Sequence, residues 1–590
     1  MRVLRWLFYC IMALTFTASV YAQDVFNDYQ MQPEVWHMMR PDYGEVDAQG
    51  DLNLQIPVMT VPGRNIDIPI IFSYHSGIKF HQHSSWIGLG WQWDPGSITR
   101  DVKGSVIFNV GDEIDESMGV DFPGANEAYA RDIYYLHLNG GTKAMFEKGL
   151  ATGLEPGSDF YVNPWEAWII LPEAVENVSV KDVTSSLPDY TGFRVTTDDG
   201  IRYIYGVPSL ASYQNIDPDD PGGYDLNYFV STWRLVAILG TDYQGDEIPD
   251  EEVNPAGSWV KFNYAYDEAA LFLSRRNYAG QPGKESLVNL TYLKEIVTPT
   301  HIAKFTTTLR TDHDGAIPPD IDEYVHKKLS RIDLYSRHDP GHAIKSVELI
   351  HENFGQSTST RMALSGLKIN GENDSNPFVY TFTYYDTYHQ NFNPQAEHYD
   401  DFGYVNSADF KMYNTDTLSA QYLSLEKIIY PTGGSETFFY SKDSIRSNEK
   451  IYFSWYKYAV PNEDLFDSDS VAFEVNENEQ GGTRVRKIIR SDGRGGQYEF
   501  KYEYPAGTIN GIPQYFFLKR NAELGLNNSG ARGDASVYYD YIIKIYPDNS
   551  RKTTWYSTGT KSYSLVCTAF SNKLNYSIPV SYTHLTLPTN

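Results

Sequence analysis

Aromatic residues recur at every second position in short stretches of this chain, and this spacing most constrains its fold. In "FVYTFTYY" and "QYEFKYEY" the rings share one parity, whereas polar and charged residues take most of the other. A period of two places alternate side chains on opposite faces of a β-strand. We therefore predict strands with one aromatic face that turns inward. The predicted inward aromatic stripes consist of Phe378, Tyr380, Phe382, Tyr384, Tyr498, Phe500, Tyr502 and Tyr504.

These strands belong to a loose repeat that begins near Ser231. Each unit starts with Leu or Val, two further residues and Ile or Leu, as in "LEKII" and "VRKII". A turn containing Gly or Pro follows, and a return strand rich in Phe and Tyr completes a hairpin. Because one hairpin alone is marginally stable in water, neighbouring hairpins must share a sheet. The sequence thus predicts an all-β protein of irregular stacked β-hairpins, which form an extended, curved sheet with few helices. The 47 tyrosines agree, since aromatic residues suit pleated surfaces.

The first 22 residues have the pattern of a secretory signal peptide. Arg2 and Arg5 precede an apolar run, and Val20 and Ala22 supply small residues before a cleavage site. The run is shorter than the roughly 20 residues that a spanning helix needs. We therefore expect export through the inner membrane, a secreted or cell-surface location, and no membrane span after cleavage.

The last residues suggest a different origin. The stretch "VSYTHLTLPT" resembles the translation of a sequencing-library adapter. We interpret residues 580–590 as non-native and expect the natural chain to continue. Without the signal peptide, Cys567 is the single cysteine, so no intrachain disulfide can form and the fold must depend on a large core.

The formal net charge of −28 argues against nucleic acid as a partner, because phosphate binding needs clustered Lys and Arg. Three acidic loops stand out: "IDPDDPGGYD", "DYQGDEIPDEE" and "DHDGAIPPDIDE". Calcium prefers such oxygen ligands, but none of the loops has EF-hand spacing. We interpret them as solvated turns and leave structural calcium open.

Tryptophan and glycine are concentrated in "SSWIGLGWQWDPGSITR". No Ser-His-Asp or Cys-His set accompanies the stretch, which disfavours a catalytic loop. Exposed tryptophan faces could form a carbohydrate platform, but large aromatic residues are usually buried. We interpret the stretch as a structural corner where the chain locks its first sheet, so that Trp86→Ala lowers stability by about 3–5 kcal/mol. The predicted structural motif consists of Trp86, Gly88, Gly90, Trp91, Trp93, Gly96, Ile98 and Arg100.

Three histidines, His75, His81 and His83, lie close together in the sequence. The last two share strand parity, which could suit a metal ion. Zinc sites usually need three or four ligands with a supporting shell. Neither a cysteine nor an obvious carboxylate lies near them in the sequence, so we predict no metal site and no cofactor.

The region from Gly50 to Gly104 resembles the N-terminal region of RHS/YD-repeat proteins, in the form found in secreted, Bacteroidetes-type members related to Tc-toxin C components and polymorphic toxins. The shared pattern is a strand ending in Ile-Pro, a turn, a strand ending in Ser-Tyr-x-Ser-Gly, then Gly-x-Gly-Trp and Ile-x-Arg. The hairpins that follow residue 231 resemble the divergent early repeats of that family less specifically. The residues that match the pattern are Gly50, Ile56, Pro57, Pro69, Ser73, Tyr74, Ser76, Gly77, Gly88, Gly90, Trp91, Ile98 and Arg100.

The resemblance implies a spiralling sheet that closes into a hollow shell around a C-terminal toxic or effector domain, which self-cleavage releases. This sequence lacks clear copies of the repeat Gly-x-x-x-Arg-Tyr-x-Tyr-Asp and the autoproteolytic C-terminal core. Cargo and cleavage are therefore expectations for a continuation of the chain. The implied organisation is an RHS N-terminal region at 23–105, an irregular β region with long loops at 106–230 and divergent hairpins at 231–579.

The functional hypothesis is a non-enzymatic scaffold that builds part of such a shell. Its expected partner is the chain's own C-terminal domain, with cell-surface or export-machinery components as further candidates. A cell-surface adhesin or glycan-binding module shares export, β-structure and aromatic richness, and it stays an alternative. A glycoside hydrolase would need two acidic residues across a cleft, and the sequence singles out no such pair.

Overall fold

The computed structural model shows an antiparallel β-protein, which confirms the all-β prediction. It describes residues 45–79, 82, 84–101, 133–138, 141–148, 160–163, 169–173, 192–216, 224–245, 247–273, 287–312, 326–354, 360–372, 377–385, 403–405, 417–443, 450–455, 470–474, 482–510, 536–557, 564–565 and 580–583. The predicted signal peptide, His81, His83 and Cys567 lie outside these residues. Within the described ranges, no helix is long and apolar enough to span a membrane.

The described elements are almost all strands, with one short helix, α1 (Thr417–Ala420). The first strands are β1 (Glu45–Val46), β2 (Leu52–Val61), β3 (Ile68–His75), β4 (Trp91–Gln92), β5 (Gly96–Asp101), β6 (Ile133–Leu138), β7 (Gly141–Lys148), β8 (Phe160–Asn163), β9 (Ile169–Glu173), β10 (Gly192–Thr196), β11 (Arg202–Ile216), β12 (Tyr224–Leu239), β13 (Trp259–Leu273), β14 (Leu287–Val297), β15 (His301–Leu309) and β16 (Lys327–Ser336). The later strands are β17 (Asp339–Phe354), β18 (Arg361–Gly371), β19 (Phe378–Tyr384), β20 (Leu425–Ile429), β21 (Ser435–Lys442), β22 (Lys450–Trp455), β23 (Ser470–Glu474), β24 (Thr483–Ser491), β25 (Gln497–Glu503), β26 (Thr508–Asn510), β27 (Ser536–Tyr538), β28 (Tyr541–Ile545), β29 (Arg551–Ser557), β30 (Ser564–Leu565) and β31 (Val580–Thr583).

The first four strands form a small N-terminal sheet in chain order. In β2, Leu52, Leu54 and Ile56 are buried, while Asn53 and Gln55 between them are exposed. Such alternation is typical of an antiparallel sheet that packs one face against protein and turns the other to solvent. The N-terminal sheet therefore has one apolar face that must pack on a second layer.

That second layer is one large sheet whose strand order largely follows the chain. From β12 to β21 each strand pairs antiparallel with the next, and β24, β25, β28, β29 and β31 continue the series. The sheet branches at β12, because residues 232–234 pair with β5 and residues 237–239 pair with β13. Strands β22, β23 and β30 form a separate small sheet, as do β26 and β27. Most successive hairpins thus extend one continuous edge.

Each Leu-x-x-Ile unit of the repeat contains a β-bulge after its first residue. In β20, for example, the pairing with β19 skips Glu426. In a regular strand, residues three apart face opposite sides, but one inserted residue returns both to the same side. Leu425 and Ile428 are fully buried as a result.

The same bulge occurs in six strands of the described part of the chain. The skipped residues are Val236, Lys294, Ser330, Ser365, Glu426 and Arg486. The flanking apolar residues are at most 5% exposed: Leu235 and Ile238, Leu293 and Ile296, Leu329 and Ile332, Leu364 and Leu367, Leu425 and Ile428, and Val485 and Ile488. The repeat seen in the sequence is therefore a row of bulges on alternate strands of the large sheet.

The main core lies between the N-terminal sheet and the large sheet. The ring of Trp91 in β4 packs against Tyr74 of β3 and against Phe382 of β19, with centroids 5.2 and 4.9 Å apart. The same buried cluster joins Leu52 of β2 to Phe438 of β21. In this part of the molecule, the chain's own N-terminal sheet covers the aromatic face of the large sheet.

The predicted aromatic stripes turn inward only in part. Phe378 and Tyr498 are each 50% exposed, so the inward prediction is wrong for these two. Both lie at the start of their strands. The other members are buried or half-buried: Tyr380, Phe382, Tyr384, Phe500, Tyr502 and Tyr504.

Candidate functional site

The N-terminal segment, by which we mean the N-terminal sheet together with residues 84–91, docks along the row of bulges in the large sheet. A bulge takes the backbone groups of a residue out of the ladder, and a buried N–H then needs another partner. Four N–H groups, three in bulged strands and one just before β28, donate to this segment at 2.8 Å. We call these four contacts the docking line. They join Leu329 to the Trp86 carbonyl, Leu425 to the Tyr74 hydroxyl, Val485 to the Gly50 carbonyl and Tyr539 to the Ala48 carbonyl.

Tyrosines satisfy carbonyl groups of the same bulges. In four units a tyrosine hydroxyl donates to the carbonyl of the unit's first Leu or Val. Burial raises the pKa of all four tyrosines well above its usual value, so each hydroxyl keeps its proton and can donate. Phenylalanine could not serve this role. The bonds are Tyr264 to Leu235 (2.9 Å), Tyr384 to Leu364 (2.6 Å), Tyr440 to Leu425 (2.9 Å) and Tyr504 to Val485.

We expect Tyr440→Phe to lower the free energy of unfolding by about 1–3 kcal/mol, because the buried Leu425 carbonyl loses its donor. Urea unfolding followed by tryptophan fluorescence measures this change. Tyr335→Phe is the matched control, since within the described residues the Tyr335 hydroxyl makes no hydrogen bond, and its loss should cost about 0.5 kcal/mol or less. Equal losses in the two variants would contradict the capping role.

The tryptophan–glycine segment occupies the two units that lack an opposing tyrosine. Tyrosine pairs with the first residue of the unit in β12, β14, β20 and β24, but Thr307 and His351 take that position opposite Leu329 and Leu364. Residues 84–91 lie over these two units. Three hydrogen bonds hold these residues there: the Leu329 N–H to the Trp86 carbonyl (2.8 Å), His351 Nε2 to the Ile87 carbonyl (2.9 Å) and the Leu89 N–H to the Met362 carbonyl (2.9 Å).

Gly88 and Gly90 are required by this close approach. Gly88 has a φ of +148°, and a Cβ there would lie 2.7 Å from the Leu364 nitrogen. Gly90 has a φ of +76°, and its Cβ would lie 2.6 Å from the Tyr74 ring. L-residues with side chains rarely adopt such positive φ values. The two glycines therefore let the segment lie directly on the backbone of β18 and on β3.

The three tryptophans of the segment are covered by the protein's own side chains. Trp91 is 1% exposed, and its Nε1 donates to the Tyr384 hydroxyl at 2.8 Å. Trp93 is 6% exposed and stacks on Phe305 with centroids 5.5 Å apart. Trp86 is half-buried and stacks on the same ring at 6.2 Å. The ring faces of Trp91 and Trp93 are therefore not free for a sugar, and we expect the largest stability effect at Trp91 rather than at Trp86.

The rest of the predicted motif lies on β5, away from the docking line. Ile98 is fully buried and pairs with Trp233 of β12. Arg100 is 8% exposed and pairs with Tyr134 of β6, and Gly96 begins the strand. The structure thus divides the predicted motif into a docking part and a strand that joins two branches of the large sheet.

A buried ion pair that the sequence analysis missed anchors the start of the segment. Arg310 Nη2 and Nε lie 2.7 and 3.0 Å from the two carboxylate oxygens of Asp312. The guanidinium also donates to the Ser84 carbonyl at 3.0 Å, and the carboxylate accepts the Met362 N–H at 3.1 Å. The interpretation of Asp312 as part of a solvated acidic turn is wrong, because its side chain is fully buried. Residues 217–223 and 313–325, which hold most of the other acids of two of the predicted loops, lie outside the described residues.

His351 should make stability depend on pH. Burial, together with Lys328 and Arg310, lowers its pKa to about 4, although the hydrogen bond to Ile87 and the charge of Asp312 oppose this shift. The unfolded chain binds this proton at its ordinary pKa of 6.5, so the stabilisation is complete at pH 7 and falls as the pH drops from about 6.5 to about 4. We expect a loss of about 2–3 kcal/mol over that window.

Urea unfolding at several pH values, in wild type and in His351→Gln, measures this contribution as the difference between the two proteins. Glutamine keeps a donor for the Ile87 carbonyl but does not titrate. The exposed His342 supplies the control His342→Gln, which should retain the wild-type pH dependence. Parallel curves for wild type and His351→Gln would contradict the assignment.

His75 faces two carboxylates that the sequence analysis also missed. Its Nε2 lies 2.9 Å from Asp47 Oδ2 and 3.9 Å from Asp51 Oδ2. Burial raises the pKa of Asp51 to about 7, although His75 acts to lower it. Burial alone would lower the pKa of His75, but Asp51 and Asp47 raise it to about 9. The groups meet because Asn53 at the start of β2 pairs with His75 at the end of β3, which brings His75 beside the residues that precede β2. The alternation of buried and exposed residues in the two strands could have indicated this register.

No protein-family model matches the chain, and no curated protein matches it. Among solved structures, a similar chain is the N-terminal domain of effector protein SpvB from Salmonella typhimurium strain LT2. It is 12% identical with a TM-score of 0.27, and the match covers 54% of this chain and 100% of that domain.

Two further similar structures are a TcdB2–TccC3 protein and a TcdB2–TccC3–Cdc42 complex. The first is 10% identical with a TM-score of 0.32, and the match covers 92% of this chain and 30% of that one. The second is 9% identical with a TM-score of 0.28, with coverages of 88% and 35%. This chain therefore spans about a third of their length, and likenesses at this level assign neither a family nor a function.

Proposed function

We propose that this chain is a non-enzymatic scaffold, the N-terminal part of an exported RHS-type protein that builds one end of a β-shell around a C-terminal effector domain. The docking line is the observation that supports this role most directly. One N-terminal segment bonds to strands from β16 to the start of β28 and so holds successive hairpins in a single assembly.

The construction of the large sheet suits extension. Each hairpin adds to the edge left by the previous one, and the same bulged unit recurs from β12 to β24. Further hairpins of this kind would lengthen the sheet without new contacts at its start. Because the N-terminal sheet fills the interior at its own end, we place the space for a guest beyond β29, in the direction of growth.

The polar groups beneath the segment also suit a scaffold. Arg310, Asp312 and His351 all bind backbone carbonyl or amide groups of the docked chain or its neighbours. Such bonds fix one arrangement of the backbone, because a buried donor or acceptor that loses its partner is costly. This use of charge supports a structural role.

The proposal can be tested first at the genomic locus. Sequencing beyond codon 579 should reveal tandem Gly-x-x-x-Arg-Tyr-x-Tyr-Asp repeats, followed by an unrelated C-terminal domain. In the complete protein, limited proteolysis should spare that domain, whereas the same domain expressed alone is cut. A downstream region that lacks these repeats and instead encodes another enzyme or a membrane anchor would overturn the proposal.

A pair of glycine variants sharpens the proteolysis experiment. Gly88→Ala should weaken docking and speed cleavage of the C-terminal domain. Gly341→Ala is the control, because a Cβ there would meet nothing closer than 3.6 Å. Cleavage at the wild-type rate in Gly88→Ala would show that docking of this segment does not keep the shell closed.

A further inference from the structure

Asp47, Asp51 and His75 direct their side chains into one small volume beside the first turn of the N-terminal sheet. The three ligand atoms, one from each residue, lie within 4.8 Å of one another. In a four-coordinate zinc site, bonds of about 2.0–2.2 Å hold the ligand atoms roughly 3–3.5 Å apart. Small side-chain movements would therefore bring all three atoms onto one ion.

Asp51 contributes a buried carboxylate to this cluster. The residue is 1% exposed. Its Oδ1 accepts the Ser76 hydroxyl at 3.1 Å, and its Oδ2 lies 3.9 Å from His75 Nε2, beyond hydrogen-bonding distance. A buried charged carboxylate is costly unless a cation and hydrogen bonds compensate its charge. A cation bound to Oδ2 would remove that cost.

Gly77 packs closely against the same oxygen. A Cβ at this position would lie 2.5 Å from Asp51 Oδ2. Gly77 is not among the residues with positive φ, so backbone conformation does not explain the glycine. The absence of a side chain instead lets the Asp51 carboxylate approach the backbone at Gly77.

The supporting hydrogen bonds already orient two of the groups. Asp47 Oδ1 accepts the N–H groups of Gln49 and Asp51 at 2.9 and 3.1 Å, which leaves Oδ2 to face His75. Ser76 Oγ accepts the Leu52 N–H at 2.8 Å while it donates to Asp51. Outer hydrogen bonds of this kind hold metal ligands in place. The side chains of His75 and Asp47 are 41% and 30% exposed, which gives an ion access and lets water complete its coordination.

We propose that Asp47, Asp51 and His75 bind one divalent transition-metal ion, of which zinc fits best. One imidazole and two carboxylates suit zinc, whereas calcium takes six to eight oxygen ligands. The ion would join the end of β3 to the turn that carries Ala48 and Gly50, whose carbonyls form two contacts of the docking line. Zinc would thus secure this end of the docked segment, and the site does not depend on the scaffold proposal.

Isothermal titration of the full chain with zinc chloride tests the site. Wild type should bind one zinc ion per chain at this site, and zinc should raise its melting temperature. Asp47→Asn keeps the oxygen that caps the turn, and His75→Gln keeps a polar side chain; both should bind zinc at least about tenfold more weakly. His342→Gln is the matched control, because His342 pairs with Asp339 at 3.1 Å on an exposed turn, and the described residues supply no third ligand there.

Tryptophan fluorescence and circular dichroism establish that both variants are folded before titration. The proposal fails if folded Asp47→Asn and His75→Gln bind zinc as tightly as wild type, which would place the binding at other histidines. It also fails if calcium, and not zinc, raises the melting temperature. Neither result would affect the locus and proteolysis tests of the scaffold.

Discussion

Trp91→Ala should lower the free energy of unfolding by about 3–5 kcal/mol, the range for removal of a large buried aromatic side chain. The residue is 1% exposed and lies where the N-terminal sheet meets the large sheet. Its ring packs on Tyr74 and Phe382, so alanine leaves a cavity between the two layers. The substitution also removes the donor to the Tyr384 hydroxyl, which itself donates to the Leu364 carbonyl.

Trp555→Ala is the matched control for this experiment. Trp555 is 49% exposed and contacts Tyr541 on the next strand, with ring centroids 4.7 Å apart. Its removal should cost about 1 kcal/mol or less. Urea unfolding followed by far-ultraviolet circular dichroism compares the two variants without dependence on tryptophan emission. Similar midpoints for both would mean that Trp91 does not join the two layers.

Arg310→Met should also cost about 3–5 kcal/mol, because it leaves the Asp312 carboxylate buried without its cation. The side chains are 3% and 0% exposed, so water cannot replace the guanidinium. Methionine keeps much of the volume, which restricts the effect to lost charge and lost hydrogen bonds. The Ser84 carbonyl also loses its donor, so the start of the docked segment should loosen. Hydrogen exchange should then rise at Leu89, whose N–H bonds to β18.

The neighbouring strand offers a control with the same spacing. Arg331 and Asp333 are also two residues apart, with Nε 2.7 Å from a carboxylate oxygen, but the arginine side chain is 41% exposed. The Asp333 side chain is 10% exposed, but solvent reaches the guanidinium and weakens the pair, so Arg331→Met should cost clearly less than Arg310→Met. If Arg310→Met and Arg331→Met lower the free energy of unfolding equally, burial does not determine how much the Arg310–Asp312 pair contributes to stability.

The strands of this protein could be predicted from local pattern. The alternation in β2 and in the return strands identified the elements and most of their buried faces, because period two is a property of the extended backbone itself. The two exposed ends, Phe378 and Tyr498, could not be distinguished this way. They follow the same alternation as Tyr380 and Phe500, and only the extent of the covering layer separates them.

The repeat shows where local pattern stops being sufficient. Two apolar residues three positions apart, such as Leu425 and Ile428, predict neither a regular strand nor its face. The bulge at Glu426 explains how both residues face the core, but a bulge exists only relative to the partner strand, which the local sequence does not identify. The role of Tyr440 has the same origin, since its hydroxyl donates to the Leu425 carbonyl, which that bulge takes out of the strand pairing.

The sequence by itself determined that strands would form, that hairpins would recur and that aromatic faces would be buried, because periodicity and turn residues act over a few positions. The tertiary structure alone decided that the N-terminal sheet covers those faces, that Trp91 meets Tyr384 across 293 positions, and that two aspartates surround His75. Hydrogen bonding and desolvation depend on distances of a few ångströms in space, and separation along the chain carries no information about them until the fold is known.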